Sequence, residues 1–379
     1  MRIRMYNVGY GDCFCLKDRK KSLLVDFGTN NSRIEGRPRK ETFDRIISDL
    51  TTIDRKSLLL THFHLDHLSG LLYMMRNHKS ACEFASLYLP DVFSGEGQNH
   101  MLSLMMLADT MKDSALPSRQ ISLFALVEAL IKMPIPVKLL RRGVAFEEKY
   151  QTLWPDTGLV QGEAEEIYRI LEENHEPVLK ELNQFAETLR QVIADMASGK
   201  QEKKDFPAVS VLEKEFRVLR NKQEFRDLLQ EAYEKKLPLS SLRNKISIVF
   251  QNKQDGELNM LFTGDVESRY LQMIADNYDG QIPLFEHYWC IKVPHHGTQE
   301  HYFDFSPYMP ENMLISNGIH FSNSKKQSKE LRTSSQYGGL FYINDAHMYC
   351  TNSDCCDAYR NGCTCKEWDV ISPAYYKDI

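Results

Sequence analysis

The segment His62-Phe63-His64-Leu65-Asp66-His67 constrains this chain more than any other, because it packs four metal-competent side chains into six residues. It follows Ser57-Leu58-Leu59-Leu60-Thr61, a short apolar run that reads as a buried strand. Three imidazoles and a carboxylate are costly to desolvate together unless something binds them. Imidazole and carboxylate are the ligand set of Zn²⁺, Mn²⁺ or Fe. Residues two apart on an extended segment point to one side, and a turn at Asp66-His67 can then serve a second ion nearby. A polar turn satisfied by its own hydrogen bonds is the competing reading, and placement directly after a buried strand argues against it.

At 379 residues the chain exceeds a comfortable single core, so one large domain with an insertion, or two domains, is expected. With 42% hydrophobic and 26% charged residues it is not a largely disordered chain. Its 47 basic and 52 acidic side chains leave −5, which excludes whole-surface attraction to nucleic acid or an anionic membrane. There is no apolar stretch long enough to span a bilayer. The start, Met1-Arg2-Ile3-Arg4-Met5-Tyr6, alternates like a strand instead of running apolar like a signal peptide. A cytoplasmic location follows as the expectation, with the nine cysteines as thiols or metal ligands.

Periodicity divides the chain into four parts. Residues 1–159 mix strands and helices: a hairpin from Cys13-Phe14-Cys15-Leu16 and Ser22-Leu23-Leu24-Val25, helices over 42–50, 101–112 and 120–132, and strands at 84–89, 137–140 and 150–154. Residues 160–237 read as a helical hairpin bent at Pro177. One stripe runs through Ile167, Ile170, Leu171, Val178, Leu182, Phe185, Leu189, Val192 and Met196, the other through Leu212, Phe216, Leu219, Phe225, Leu228, Leu229 and Tyr233. These stripes pack on each other and the main domain, or offer a surface to a partner protein. Strand signals return over 238–345, at 246–250, 258–262 and 289–293, with a helix at 267–276. Residues 346–379 form a cysteine-rich tail with a final strand at 367–371.

The His-x-His-x-Asp-His pattern after a strand resembles the metallo-β-lactamase superfamily. Other positions are similar in order: Leu23-Leu24-Val25-Asp26-Phe27-Gly28, Leu261-Phe262-Thr263-Gly264-Asp265 and Lys292-Val293-Pro294-His295-His296-Gly297. The opening Asn7-Val8-Gly9-Tyr10-Gly11-Asp12, with Thr-Gly-Asp and His-His-Gly, looks most like the hydrolase domain of bacterial competence DNA-uptake proteins (ComEC-type). The resemblance covers about 1–156 and 243–345. It implies an α/β (α+β) fold, a four-layer αββα sandwich with metals at one edge between two sheets, in which 160–237 is an insertion.

It also implies a ligand set. His62, His64 and Asp265 would hold one ion; Asp66, His67, Asp265 and either His295 or His296 would hold the other. Zn²⁺ or Mn²⁺, one or two ions, would acidify a bridging water, with Asp66 orienting it and passing a proton to the leaving group. Asp26 would support a ligand histidine by accepting its ring N–H. The superfamily pattern carries a further histidine near Asn244, which leaves the first ion one strong ligand short. His100 or His175 could fill that position, though both lie in helical stretches where surface histidines are common.

The motif is shared by hydrolases of lactams, lactones, thioesters and phosphodiesters. The branch resemblance favours a phosphodiester, as nuclease or nucleotide phosphodiesterase. So does the cationic run Ser322-Asn323-Ser324-Lys325-Lys326-Gln327-Ser328-Lys329, which reads as phosphate contacts or as a solvated loop. Lys292 is a further candidate for substrate contact. A non-phosphate electrophile is one alternative; the other is a regulatory module with an incomplete metal site, for which Asn244 speaks.

In the tail, His347, Cys350, Cys355, Cys356, Cys363 and Cys365 crowd into 19 residues. A structural zinc site, a thiol-lined loop or a redox pair fits this spacing. Cys13, Cys15, Cys82 and Cys290 lie on apolar strands and read as core.

Overall fold

The computed structural model describes residues 1–18, 21–95, 98–112, 122–133, 135–199, 209–318, 334–338, 343–351, 368–370 and 375–379. Its centre is a pair of large sheets. Strands β1 (Arg2–Tyr6), β2 (Phe14–Asp18), β3 (Lys21–Val25), β6 (Arg55–Leu59), β7 (Leu87–Pro90), β8 (Val137–Leu140) and β17 (Tyr376–Asp378) form one sheet, ordered β17-β1-β2-β3-β6-β7-β8. The other contains β9 (Ala145–Phe146), β10 (Tyr150–Trp154), β11 (Val249–Asn252), β12 (Met260–Phe262), β13 (Tyr288–Lys292), β14 (Pro310–Ile315), β15 (His347–Cys350) and β16 (Trp368–Val370), in reverse numerical order.

Alternation explains why the sheets stack. Ile3, Met5, Phe14, Leu16, Leu23, Val25 and Leu59 face Phe250, Met260, Phe262, Cys290 and Leu314 in one apolar layer. The rings of Phe14 and Phe262 meet edge to face at 5.6 Å across it. The alternate residues, among them Leu24, Leu58, Leu261 and Ile291, lie in the second core beneath the helices. Helices α1 (Arg39–Thr51) and α2 (Leu65–Asn77) belong to that outer layer, where Phe27 and Phe43 are 5.1 Å apart. The mixed α/β sandwich with helices outside is the architecture that the resemblance implies.

Strand direction assembles the site. β3 and β6 are parallel with Val25 opposite Leu59, so Asp26 and Thr61-His62 leave the sheet at one edge. β12, β13 and β14 are also parallel, with Phe262 opposite Lys292 and Lys292 opposite Leu314. The turns at 263–265, 293–297 and 315–317 therefore emerge together, at the carboxyl ends where α/β sheets hold their ligands.

The helical region is more segmented than a hairpin. α5 (Thr157–Ser198) starts where Asp156 Oδ1 accepts from the N–H groups of Gly158 and Leu159, and ends at the left-handed Gly199. It bends at His175 (φ −131°, ψ 23°), two residues before Pro177, which can donate no helical hydrogen bond. The second arm is two helices, α6 (Val209–Arg220) and α7 (Gln223–Glu234), separated at Asn221-Lys222, where Lys222 turns extended. Ile167, Leu171, Val178, Leu182 and Leu189 are buried as the stripe requires, whereas Ile170 and Tyr233 face solvent on its flank. The block packs on α3 (Gln98–Lys112) and α4 (Ser122–Lys132), with Phe124 and Phe185 each about 5.5 Å from Phe216.

Other differences are local. The strand expected from Ile246 begins at Val249, preceded by the four-residue helix α8 (Leu242–Lys245). The end of the chain contributes to both sheets, since β17 pairs with β1 and brings Asp378 onto Arg4 at 2.6 Å. Cys13, Cys15, Cys82 and Cys290 are buried. No helix among the described residues is long and apolar enough to cross a membrane.

Candidate metal centre

His62 and His64 lie in the loop after β6, and Asp66 and His67 in the first turn of α2. A carboxylate there is favoured by the unpaired amide groups and dipole of the helix start. The turn is held against the sheet by a close approach. A Cβ on Gly28 would come within 2.6 Å of the backbone of Asp66 and His67, so only glycine fits.

Asp26 sits at a left-handed φ of 56° and spends its carboxylate on this loop. Oδ1 accepts from Thr61 N at 2.7 Å, and Oδ2 faces His67 Nδ1 at 2.8 Å. His67 Nε2 then points to Asp265 Oδ2 at 3.1 Å. His296 is held in the same manner: Nδ1 lies 3.0 Å from Ser316 O and 3.2 Å from Asp12 Oδ1, while Nε2 lies 3.4 Å from Asp66 and 3.5 Å from Asp265. Carboxylate or carbonyl on one ring nitrogen, with the other facing a shared acid, is how supporting groups orient metal-binding imidazoles.

His62 Nε2 is 2.9 Å from His64 Nδ1 and 3.9 Å from the same Asp265 oxygen. Asp265 Oδ2 is thus common to His62, His67 and His296. Its turn is shaped by Gly264 at φ 51° and by Ser247, whose Oγ accepts from Asp265 N at 2.8 Å and touches His62 Nδ1 at 3.2 Å.

The two adjacent histidines do not alternate as they would on an extended strand. His295, His296 and Gly297 are all left-handed, at φ 44°, 56° and 71°, a strained turn for two non-glycine residues. It buries His296 in the cluster. His295 goes to the rim, where its ring packs tilted against His301 at 3.8 Å and its Nδ1 lies 3.3 Å from Asn244 Nδ2.

Lys292 is corrected from a substrate contact to an internal counter-ion. It is buried, with Nζ 2.5 Å from Asp12, 3.4 Å from Asp265 Oδ1 and 2.8 Å from Gly264 O. Lys325 and Lys326 lie outside the described residues, as do Cys355, Cys356, Cys363 and Cys365. Of the tail's other candidates, His347 is exposed against Tyr349 and Cys350 is buried. His100 pairs with Glu165, and His175 with Glu231, away from the cluster.

Electrostatics shows what the cluster lacks. Among the described residues, Asp12, Asp26, Asp66 and Asp265 are buried around one lysine, Lys292. Burial opposes ionisation of Asp12, but Lys292 and His296 outweigh it and hold that carboxyl below its ordinary range. For Asp265, burial is likewise overcome, by His67 and His296. Burial would strip His296 of its proton, yet Asp265 and Asp12 raise it to about 9. Burial works on His67 in the same sense, and Asp265 and Asp26 drive it well upward. The acids therefore gather positive charge wherever they can, which is the fit a divalent ion completes.

Two further observations fit a metal. Asp12, His67, Asp265 and His296 each offer a ligand atom, all within 4.8 Å of one another. His296 Nε2 is buried between the carboxylates of Asp66 and Asp265, at 3.4 and 3.5 Å, a gathering of donor atoms that a cation can share. Asp12, Ser247 and Ser316 were not singled out from sequence. Lys292 was the available signal, since a lysine inside the apolar strand Tyr288–Lys292 demands a buried counter-charge.

Comparison with known families agrees with this geometry. The metallo-β-lactamase superfamily model matches residues 6–81, which include Asp12, Asp26, His62, His64, Asp66 and His67. Asp265 and His296 lie beyond the match and reach the cluster through the parallel strands of the second sheet. No curated protein matches the chain. That superfamily consists mostly of hydrolases, and a buried Asp/His cluster able to hold a metal ion points to metal-dependent hydrolysis.

Proposed function

We propose that this chain is a metallohydrolase that cleaves phosphodiesters, in nucleic acid or a nucleotide, with one or two divalent ions, Zn²⁺ or Mn²⁺, between its sheets. The buried cluster around Asp265 Oδ2 carries the reading: His62, His67 and His296 converge on one oxygen, with Asp66 facing the same Nε2 of His296. When bound, the ions supply Lewis acidity, acidifying coordinated water and neutralising charge that develops on the substrate.

The chain's own residues supply the rest. Asp265 bridges the two halves of the ligand set, Asp26 and Asp12 hold the rings of His67 and His296 in place, and Lys292 keeps Asp12 and Asp265 ionised. Asp66 is the least enclosed carboxylate of the cluster at 7% exposure, against 0–1% for Asp12, Asp26 and Asp265. It is the group placed to accept a proton from the attacking water and return it to the leaving oxygen. His295 and His301, half-buried against each other beside the cluster, are the groups this reading gives to substrate contact.

A cationic hairpin supports a phosphate substrate. Strands β4 (Arg33–Ile34) and β5 (Arg37–Pro38) form a small arm on which Arg33 and Arg37 are exposed beside Glu35, and the start of α1 adds exposed Arg39 and Lys40 beside Glu41. The arm springs from the segment that braces the metal loop. Asn31 Oδ1 accepts from Tyr10 N at 2.6 Å, and the Tyr10 ring packs on His296 at 4.4 Å. Arg33 is five positions along the chain from Gly28, a reach of at most ~17 Å. Arginines at that distance can hold flanking phosphates of a longer substrate.

The test compares a chromogenic phosphodiester with an aryl lactone and a thioester, with Mn²⁺ or Zn²⁺ supplied, for wild type and folded Asp66→Ala. Phosphodiester turnover that disappears in the variant is the expected result. Lactone or thioester turnover without phosphodiester turnover would reassign the electrophile.

A further inference from the structure

We infer that Asn244 is a metal ligand through its amide oxygen, completing with His62, His64 and Asp265 an ion position richer in oxygen than a three-histidine site. The inference rests on the metallohydrolase reading and adds a ligand that the histidine motif does not contain.

The local structure is built to hold this one side chain still. All four residues of α8 are buried. Arg243 on one side donates to Met105 O at 2.8 Å and pairs with Asp109 at 2.5 Å. Lys245 on the other pairs with Glu163 at 2.7 Å, and its carbonyl accepts from Trp154 Nε1 at 2.5 Å. Two buried charges flanking a single residue are an expensive arrangement for a helix of one turn unless that residue's position matters.

The turn then leads into the cluster. Ser247 N donates to Asn244 O at 3.0 Å, and Ser247 Oγ reaches both His62 and the Asp265 amide. Asn244 itself is 5% exposed. Its Nδ2 is directed at His295 Nδ1, while Oδ1 is buried and takes part in no hydrogen bond. A buried carbonyl oxygen with no donor, three residues before the serine that touches His62 and the Asp265 amide, is chemically a cation ligand.

The consequence is metal selectivity. An amide oxygen is a hard donor that suits Mn²⁺ and related oxygen-preferring ions, whereas a third imidazole favours Zn²⁺. With Asn244 in place, the preference for Zn²⁺ over Mn²⁺ is narrower than a histidine at this position would give.

The experiment measures binding of Mn²⁺ and Zn²⁺ by chelator competition, with the electron paramagnetic resonance signal of bound Mn²⁺ as a second readout. It compares the wild type with N244A, N244D and N244H, each checked for cooperative unfolding. We expect N244A to bind Mn²⁺ at least ~10-fold more weakly. N244D, nearly the same shape and still an oxygen donor, retains Mn²⁺, and N244H raises the Zn²⁺-to-Mn²⁺ affinity ratio by ~10-fold or more. Wild-type affinity for both ions in N244A overturns the inference and leaves the hydrolase reading intact, because turnover is not measured. Failure of the wild type to bind either ion overturns both.

Discussion

The helical block and the metal edge solve opposite problems with the same chain. In α5–α7 apolar stripes face each other, charges point outward, and ion pairs such as Lys222–Glu181 are exposed to water at both ends. At the metal edge four carboxylates, a lysine and three histidines, His62, His67 and His296, are buried together, and the backbone takes left-handed turns at Asp26, His295 and His296 to bring them there. The first region is stabilised by area and tolerates local change. The second is stabilised only when every charge has its partner, so its parts are not exchangeable.

Removing the shared carboxylate breaks that contrast most sharply. Asp265→Ala leaves Lys292 and two raised histidines without their common anion, which should cost the metal-free protein about 3–5 kcal/mol and abolish metal retention and turnover. Chemical denaturation with metal analysis checks both.

A comparable loss of stability in the helical block should behave differently. Leu182→Ala opens a cavity in a fully buried stripe and should cost about 2–5 kcal/mol. The metal content of the molecules that remain folded should be unchanged. Altered metal affinity in folded Leu182→Ala would show that the two regions are coupled.

Smaller effects sharpen the comparison. Asp26→Asn removes the anion behind His67 and should weaken metal binding ~10–100-fold, with no change in the fold by circular dichroism. Lys222→Ala deletes one exposed pair and should shift stability by no more than ~0.5 kcal/mol, with metal binding untouched.

Legibility in sequence follows the same division. Helical spacing exposed the stripes because burial there is periodic. It missed the break at Asn221-Lys222, where an extended Lys222 interrupts a pattern whose apolar residues continue in phase. At the metal edge, His62, His64, Asp66 and His67 were visible because four ligand-type residues in six have few other uses. Asp265 and the His295-His296 pair were visible only through likeness to a family. Asp12 lay within the opening motif but had no role assigned, and Ser247 had none, because the turns before the antiparallel strands β2 and β11 bring them to the cluster from distant parts of the chain. His295 and His296 go to different places, one ring at the rim and one in the cluster, and a left-handed turn separates them instead of the alternation of a strand.

The central claim is that this buried cluster holds a catalytic metal. Its most direct test is elemental analysis of wild type and Asp265→Ala, purified without chelator and dialysed together against Mn²⁺ or Zn²⁺. The account predicts near-stoichiometric metal retained by wild type and lost by the variant. Folded wild type that retains neither ion, or a variant that retains as much as wild type, would contradict it.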